Sequence, residues 1–225
     1  SNLGYMYLRL VLEKICGATY KEALEEIIFK PLNLTNTEVI EGQEGLKDLV
    51  SGMSTALTID QSPVDVRDLY HPGWCAPGFI ASTAHDICFF SSTIFDTDFL
   101  SKELKAEFLK PLSIGKNSNS QSNSSAKKKT NENANENAKK KPNKRENRFK
   151  NPSYGLGLMI DPDNKLGKVV GHGGAGPGYS SSWLARYNQN KEATICAVVL
   201  SNQENPDHCE ELSYKLLEKV CQVTA

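Results

Sequence analysis

Residues 171–178, Gly-His-Gly-Gly-Ala-Gly-Pro-Gly, set one histidine in a run of bare backbone. Such a run suits three tasks: cradling a phosphate, turning tightly, or letting a substrate lie along a strand. A phosphate cradle needs a strand, the glycines, and then a helix whose N-terminus faces the anion. Here "SSSWLARY" follows, alternating like another strand, with neither a Lys-Ser/Thr pair nor a helical pattern. A wide connection between strands accounts for Gly176, Pro177 and Gly178, but not for His172 beside Gly173 and Gly174. Acyl transfer accounts for all of them. It needs a backbone N–H aimed at a developing oxyanion and a strand edge that pairs with substrate amides. An imidazole at that edge can move a proton or hold a carboxylate.

Other groupings are weaker. Ser-x-x-Lys on a helix stacks hydroxyl and amine one turn apart, so that the amine activates the hydroxyl. Formal matches occur at Ser113/Lys116, Ser124/Lys127 and Ser125/Lys128, all in or at the mouth of an Asn-, Ser- and Lys-rich tract. With no packed helix to fix their geometry, they read as chance. Ser1 could be imagined as an N-terminal nucleophile using its own amine, but such sites sit on strands and Ser1 precedes a helix. His71, His85 and His208 show no metal-ligand spacing, so no metal is expected. The six cysteines include no Cys-x-x-Cys pair. Most lie among apolar residues, as in "HDICFF" and "TICAVVL", and read as buried free thiols, which tilts toward a reducing compartment.

Helices are expected ahead of the glycine run. Leu3, Met6, Tyr7, Leu10, Val11 and Ile15 recur at helical spacing, and Gly17 is a natural stop. Thr19-Tyr20-Lys21-Glu22 is a capping box for a second helix to about Phe29, which Pro31 ends. Loop-rich sequence continues through "HPGWCAPGF". Ser82-Thr83 offers caps in two registers for "HDICFFSSTIF", and "SKELKAEFLKPL" makes a short fourth helix. From "YGLGLMI" the pattern is β: "GKVVGH", "SSWLARY", a turn at "NQNKE", then "ATICAVVLSN". Asp207 is expected to cap a last helix with Leu212, Leu216, Leu217 and Val220 along one side. Helices, then an antiparallel meander, then a covering helix make an α+β domain.

Residues 113–151 break that order. The stretch 113–150 holds eleven Lys/Arg and three Glu, a net of +8, which leaves 15 basic and 24 acidic residues elsewhere. Its composition cannot offset ordering entropy, so it reads as a disordered insertion, solvated rather than binding, within one domain of residues 1–112 and 152–225. The acidic remainder argues against a nucleic-acid partner. No apolar run reaches the length of a membrane span.

Four segments, in order, carry a resemblance. "SNLGYMYLRLVLEKICGATYKEALEEIIFKPLNLTNT", "GWCAPGFIASTAHDICFF", "YGLGLMI" and "GHGGAGPGYSSSW…VVLSN" resemble the class C β-lactamase and D-alanyl-D-alanine carboxypeptidase-like family. The resemblance covers nearly everything but the insertion. It implies an antiparallel sheet flanked by helices, here lacking the family's N-terminal strands and nucleophile helix.

It also implies an acyl-serine hydrolase of amides or esters, with a small-molecule or peptide substrate and no cofactor. The family's Ser-x-x-Lys and the Tyr of Tyr-Ser-Asn lie upstream of Ser1, so no nucleophile is expected in this chain and the chain alone is expected to be inactive. A non-catalytic peptide- or partner-binding relative is the alternative. Asn2 matches the Asn that hydrogen-bonds the substrate amide, or else caps a helix. His172 matches the Lys or His of the family's strand motif, usually Lys-Thr-Gly. Gly173, Gly174 and Ala175 form the substrate strand, and Ala175 would supply an oxyanion N–H. His-Gly-Gly lacks the permanent cation and hydroxyl of Lys-Thr-Gly, which disfavours β-lactam hydrolysis. The family is often periplasmic or secreted. Without the early strands, "ATICAVVLSN" is expected to be an exposed, aggregation-prone edge.

Overall fold

The β pattern past residue 152 becomes one antiparallel meander in a computed structural model that describes residues 2–75, 78–112, 153–187 and 193–223. Its strands, β5 (Ser153–Tyr154), β6 (Met159–Asp161), β7 (Val169–Gly176), β8 (Tyr179–Arg186) and β9 (Ile195–Ser201), lie side by side in chain order. Ahead of them come α1 (Asn2–Cys16), α2 (Tyr20–Leu24), β1 (Glu38–Val39), α3 (Gln43–Leu46), β2 (Met53–Ser54) and β3 (Val64–Asp65). Then follow α4 (Val66–Leu69), β4 (Ile80–Ala81), α5 (Ala84–Asp96) and α6 (Lys102–Phe108), with α7 (Pro206–Val223) last. The loop-rich middle thus holds two small ribbons, β1 with β4 and β2 with β3. The insertion, the Ser-x-x-Lys matches, Ser1 and all of "NQNKE" lie outside the described residues.

Local signals explain most helix starts. Thr19 and Glu22 form the reciprocal capping box, and a π-helical turn, Glu25–Phe29, extends α2. Of the two cap registers before α5, Thr83 is used: its hydroxyl accepts from Asp86 N–H. Ser101 caps α6 in the same way. The last helix corrects the expectation. Asn205, not Asp207, accepts from His208 N–H, and Pro206 takes the first helical position, where a missing N–H costs nothing.

The buried face of α7 differs too. It is Cys209, Ser213, Tyr214, Leu217 and Cys221, while Leu216 and Val220 are 49% and 43% exposed. Small residues let the helix sit close on the sheet, where the Ser213 and Ser182 hydroxyls bond at 2.7 Å. Leu217, Val169 and Leu184 meet in this layer, essentially sealed from water. Burial on that scale is worth about 1.5–3 kcal/mol per side chain. On the opposite face, Ile94 and Phe95 of α5 and Leu109 pack on Ile160, Val170 and Ala185. A third cluster, Phe29, Leu32, Leu34 and Val39, sits around the end of the second helix. The cysteine expectation holds only in part: all six are free, but just Cys209 and Cys221 are buried, and Cys16 is exposed.

Two features of the sheet position the glycine run. β7 and β8 join through Pro177-Gly178 alone, with Gly176 opposite Tyr179, so the connection is tight rather than wide. Proline supplies the first corner and Gly178, at φ +75°, the second. Leu112 and Tyr154 pair across the stretch between them through two backbone hydrogen bonds, so the chain leaves and re-enters at one place. β9 has no strand beyond it among the described residues.

Candidate active site

β7 is paired along its whole length on one side and along less than half on the other. β8 covers Val169 through Gly176, whereas β6 reaches only Val169, Val170 and Gly171. His172 to Gly176 therefore present a free edge among the described residues. That edge carries every residue expected of the substrate strand: His172, Gly173, Gly174 and Ala175. His172 faces Trp183 across the ladder, and Val170 faces Ala185. Alternation thus places the imidazole on the α5 side of the sheet.

Two of the glycines have different reasons. At Gly171 a Cβ would lie 2.1 Å from the Trp183 carbonyl oxygen, so the fold itself requires glycine. At Gly173 a Cβ would meet nothing nearer than 3.6 Å, an ordinary contact. Packing does not require that second bareness, and a ligand along the edge would use it.

Tyr154 and Tyr5 join His172 at this edge. The His172 Nε2 lies 2.9 Å from the Tyr154 hydroxyl, and the rings meet edge to face with centroids 5.8 Å apart. The Tyr154 hydroxyl in turn lies 3.0 Å from that of Tyr5 on α1. His172 Nδ1 is 2.6 Å from the Gly173 carbonyl. A carbonyl only accepts, so Nδ1 carries the hydrogen. In neutral histidine Nε2 then accepts from the Tyr154 hydroxyl, whose oxygen accepts from Tyr5. The chain of donors runs from Tyr5 through Tyr154 and His172 to Gly173. Burial pushes the Tyr154 phenol up to about 12, so it remains a donor across the neutral range.

Asn2 stands apart. It is the exposed first residue of α1, and no hydrogen bond among the described residues joins it to His172. It lies one turn before Tyr5, on the same side of the helix. Sequence reasoning missed Tyr5 and Tyr154. Their signals were the Tyr of Ser-Asn-x-Gly-Tyr and the residue that opens "YGLGLMI", quoted for order rather than for their hydroxyls.

The hairpin tip is braced from outside the sheet. The Gly178 N–H donates to the Glu204 carboxylate at 2.8 Å, and the Tyr179 hydroxyl to the Val50 carbonyl. Beside it, Asp65 binds Arg67 and Ser51, and these hydrogen bonds hold its carboxyl well below the usual carboxylate range. The end of the open edge is therefore tied to the loops around Val50 and Glu204. No helix among the described residues is long and apolar enough to cross a membrane.

Comparison with known proteins gives a consistent setting. The family model described as Beta-lactamase matches residues 1–220. Penicillin-binding protein 4* of Bacillus subtilis (strain 168) is 23% identical over 229 aligned residues, covering 98% of this chain and 43% of that protein. A D-stereospecific amidohydrolase from Streptomyces sp. superposes with a TM-score of 0.61 at 24% identity, over 91% of this chain and 50% of that one. D-amino acid amidase from Ochrobactrum anthropi SV3, complexed with L-phenylalanine, gives 0.65 at 18% identity, over 100% and 59%. The chain spans about half the length of these relatives.

Proposed function

This chain belongs to the beta-lactamase family, and from that premise we propose that the full-length protein is a serine hydrolase that cleaves an amide or ester bond through an acyl-serine. The serine and its activating lysine would come from outside these residues. The observation that carries the reading is the Tyr154–His172 hydrogen bond at the unpaired end of β7. It couples a proton-carrying pair to a bare strand edge, as acyl transfer requires. Substrate amides would add to that edge from His172 onward, and its free N–H groups would face the developing oxyanion. The Tyr154 hydroxyl donates to Nε2 of neutral His172, so a proton would enter through the pair. Tyr154 passes its own hydrogen to Nε2 as its oxygen takes one from the reacting group. Charged, His172 would hold a substrate carboxylate. With His-Gly-Gly in place of Lys-Thr-Gly, and with relatives named as an amidase and an amidohydrolase, acyclic amides or esters fit better than β-lactams.

One observation favours a second reading, a non-catalytic module that binds peptides. Both nitrogens of His172 already have partners. Labelling the full-length protein with a fluorophosphonate and with a fluorescent penicillin separates the two readings. Under the hydrolase reading at least one probe acylates a serine, and His172→Ala lowers kcat/KM about 100-fold. Peptide binding with no acylation by either probe would transfer the assignment to the binding module.

A further inference from the structure

Behind the open strand, α5 and β9 bring two thiols together. On α5, Cys88, Ser91 and Phe95 recur three and four residues apart. Ser91 and Phe95 are 0% and 5% exposed, so this stripe is the one laid on the sheet. On β9, Cys196 and Val198 lie opposite Ala185 and Trp183 and turn to the same face. Cys88 and Cys196 turn into that shared layer, near enough for each thiol to bias the other's ionisation. The Trp183 Nε1–H donates to the Cys196 sulfur at 3.1 Å. The pair is anchored nearby: at the end of α5, the Asp96 carboxylate accepts from the Thr194 hydroxyl at 2.6 Å and from its N–H.

We propose that Cys88 and Cys196 are a reversible disulfide-forming site, oxidised by a low-molecular-weight disulfide such as oxidised glutathione. Neither thiol is sealed in the core, unlike Cys209 and Cys221, and each has the other as partner. Cys75 instead donates to the Gly78 carbonyl. The Cys88 thiolate attacks one sulfur of glutathione disulfide and expels a glutathione thiolate. Cys196, giving up its proton, attacks the Cys88 sulfur and expels the second. Two protein thiols become one disulfide, one glutathione disulfide becomes two thiols, and the two protons end on glutathione. The order follows from how the two thiols bias each other. Cys196 holds the Cys88 thiol down at about 7 against the opposing effect of burial, with His85 assisting. Cys88, and then burial, push Cys196 up.

Trp183 touches both the thiols and the site, since it bonds Cys196 and stands opposite His172 on β7. The proposal does not depend on the hydrolase reading, because the disulfide forms whether or not a serine is acylated. Full-length protein is equilibrated in glutathione buffers of rising oxidation, trapped by alkylation, digested and mapped by mass spectrometry. The expected result is a Cys88–Cys196 linked peptide that dithiothreitol reverses. Cys88→Ser and Cys196→Ser should each abolish it, and Cys16→Ser should leave it intact. A fluorescence change with the same midpoint, absent in Trp183→Phe, should accompany the linkage and reads the native fold directly. The idea is overturned if Cys88 ends only as a glutathione adduct while Cys196 still alkylates. It is equally overturned if the linked peptide forms only under denaturing conditions.

Discussion

Helices α1 and α7 carry the same kind of pattern and meet different fates. In α7 the sheet-facing stripe is sealed, with Leu217 fully buried. In α1 no residue is buried, and Leu3, Tyr7, Leu10 and Ile15 are 58%, 59%, 51% and 78% exposed. α1 is held by a few polar contacts instead. Glu13 accepts from the Tyr20 N–H, Arg9 lies over the Tyr20 ring, and Tyr5 reaches Tyr154. Amphipathic spacing is a demand for a partner surface, and only α7 finds one among the described residues. The relatives matched are about twice as long, so the full-length protein is where the apolar side of α1 is to be tested.

Matched truncations break or sharpen this contrast. Leu217→Ala should cost about 2–5 kcal/mol in denaturant unfolding, since it opens a cavity against the sheet. A loss under 1 kcal/mol would mean that α7 is not the packed layer described here. Tyr5→Phe should come next, at about 1 kcal/mol, the usual net worth of one hydrogen bond. The same change should also shift the pH profile of whatever reaction His172 supports, which a purely structural contact would not do.

The alkaline limb tests the same pair of hydroxyls by pH. Tyr154 titrates near 12 when folded and near 10 when unfolded. Its contribution is therefore complete below about pH 10 and is lost as pH rises toward 12. Tyr154→Phe should flatten that part of the stability–pH curve, and an unchanged curve would remove the phenol from the account. Smallest of all, Leu10→Ala should cost under about 0.5 kcal/mol in the 225-residue chain. In the full-length protein the same change should cost several times more if the apolar side of α1 is covered there. Equal small costs in both would show a helix that stays wet.

Much of the fold was legible because its signals are local. The capping box at Thr19 and the alternation through β7 and β8 each act within a few residues. The expectation that glycines and histidine share a strand edge rested on that same alternation. The cap of α7 was misplaced by two residues because Asn205 and Asp207 offer equivalent side-chain oxygens. Its buried face was misread because Ser213 and Cys209 pack by smallness, which a search for large apolar residues overlooks. Gly171 and Gly173 read alike as letters, yet only one is required by its own neighbours.

Sequence alone determined the order of the main helices and strands and the family likeness, since periodicity and capping are written residue by residue. Tertiary structure decided which hydroxyl meets His172, which thiol faces Cys196 and which amphipathic helix is buried. Tyr5 and Tyr154 stand 149 positions apart. Their contact exists only because the sheet, the paired residues Leu112 and Tyr154, and α1 converge on one place. Contacts of that span depend on the whole packing arrangement, and no local pattern encodes them.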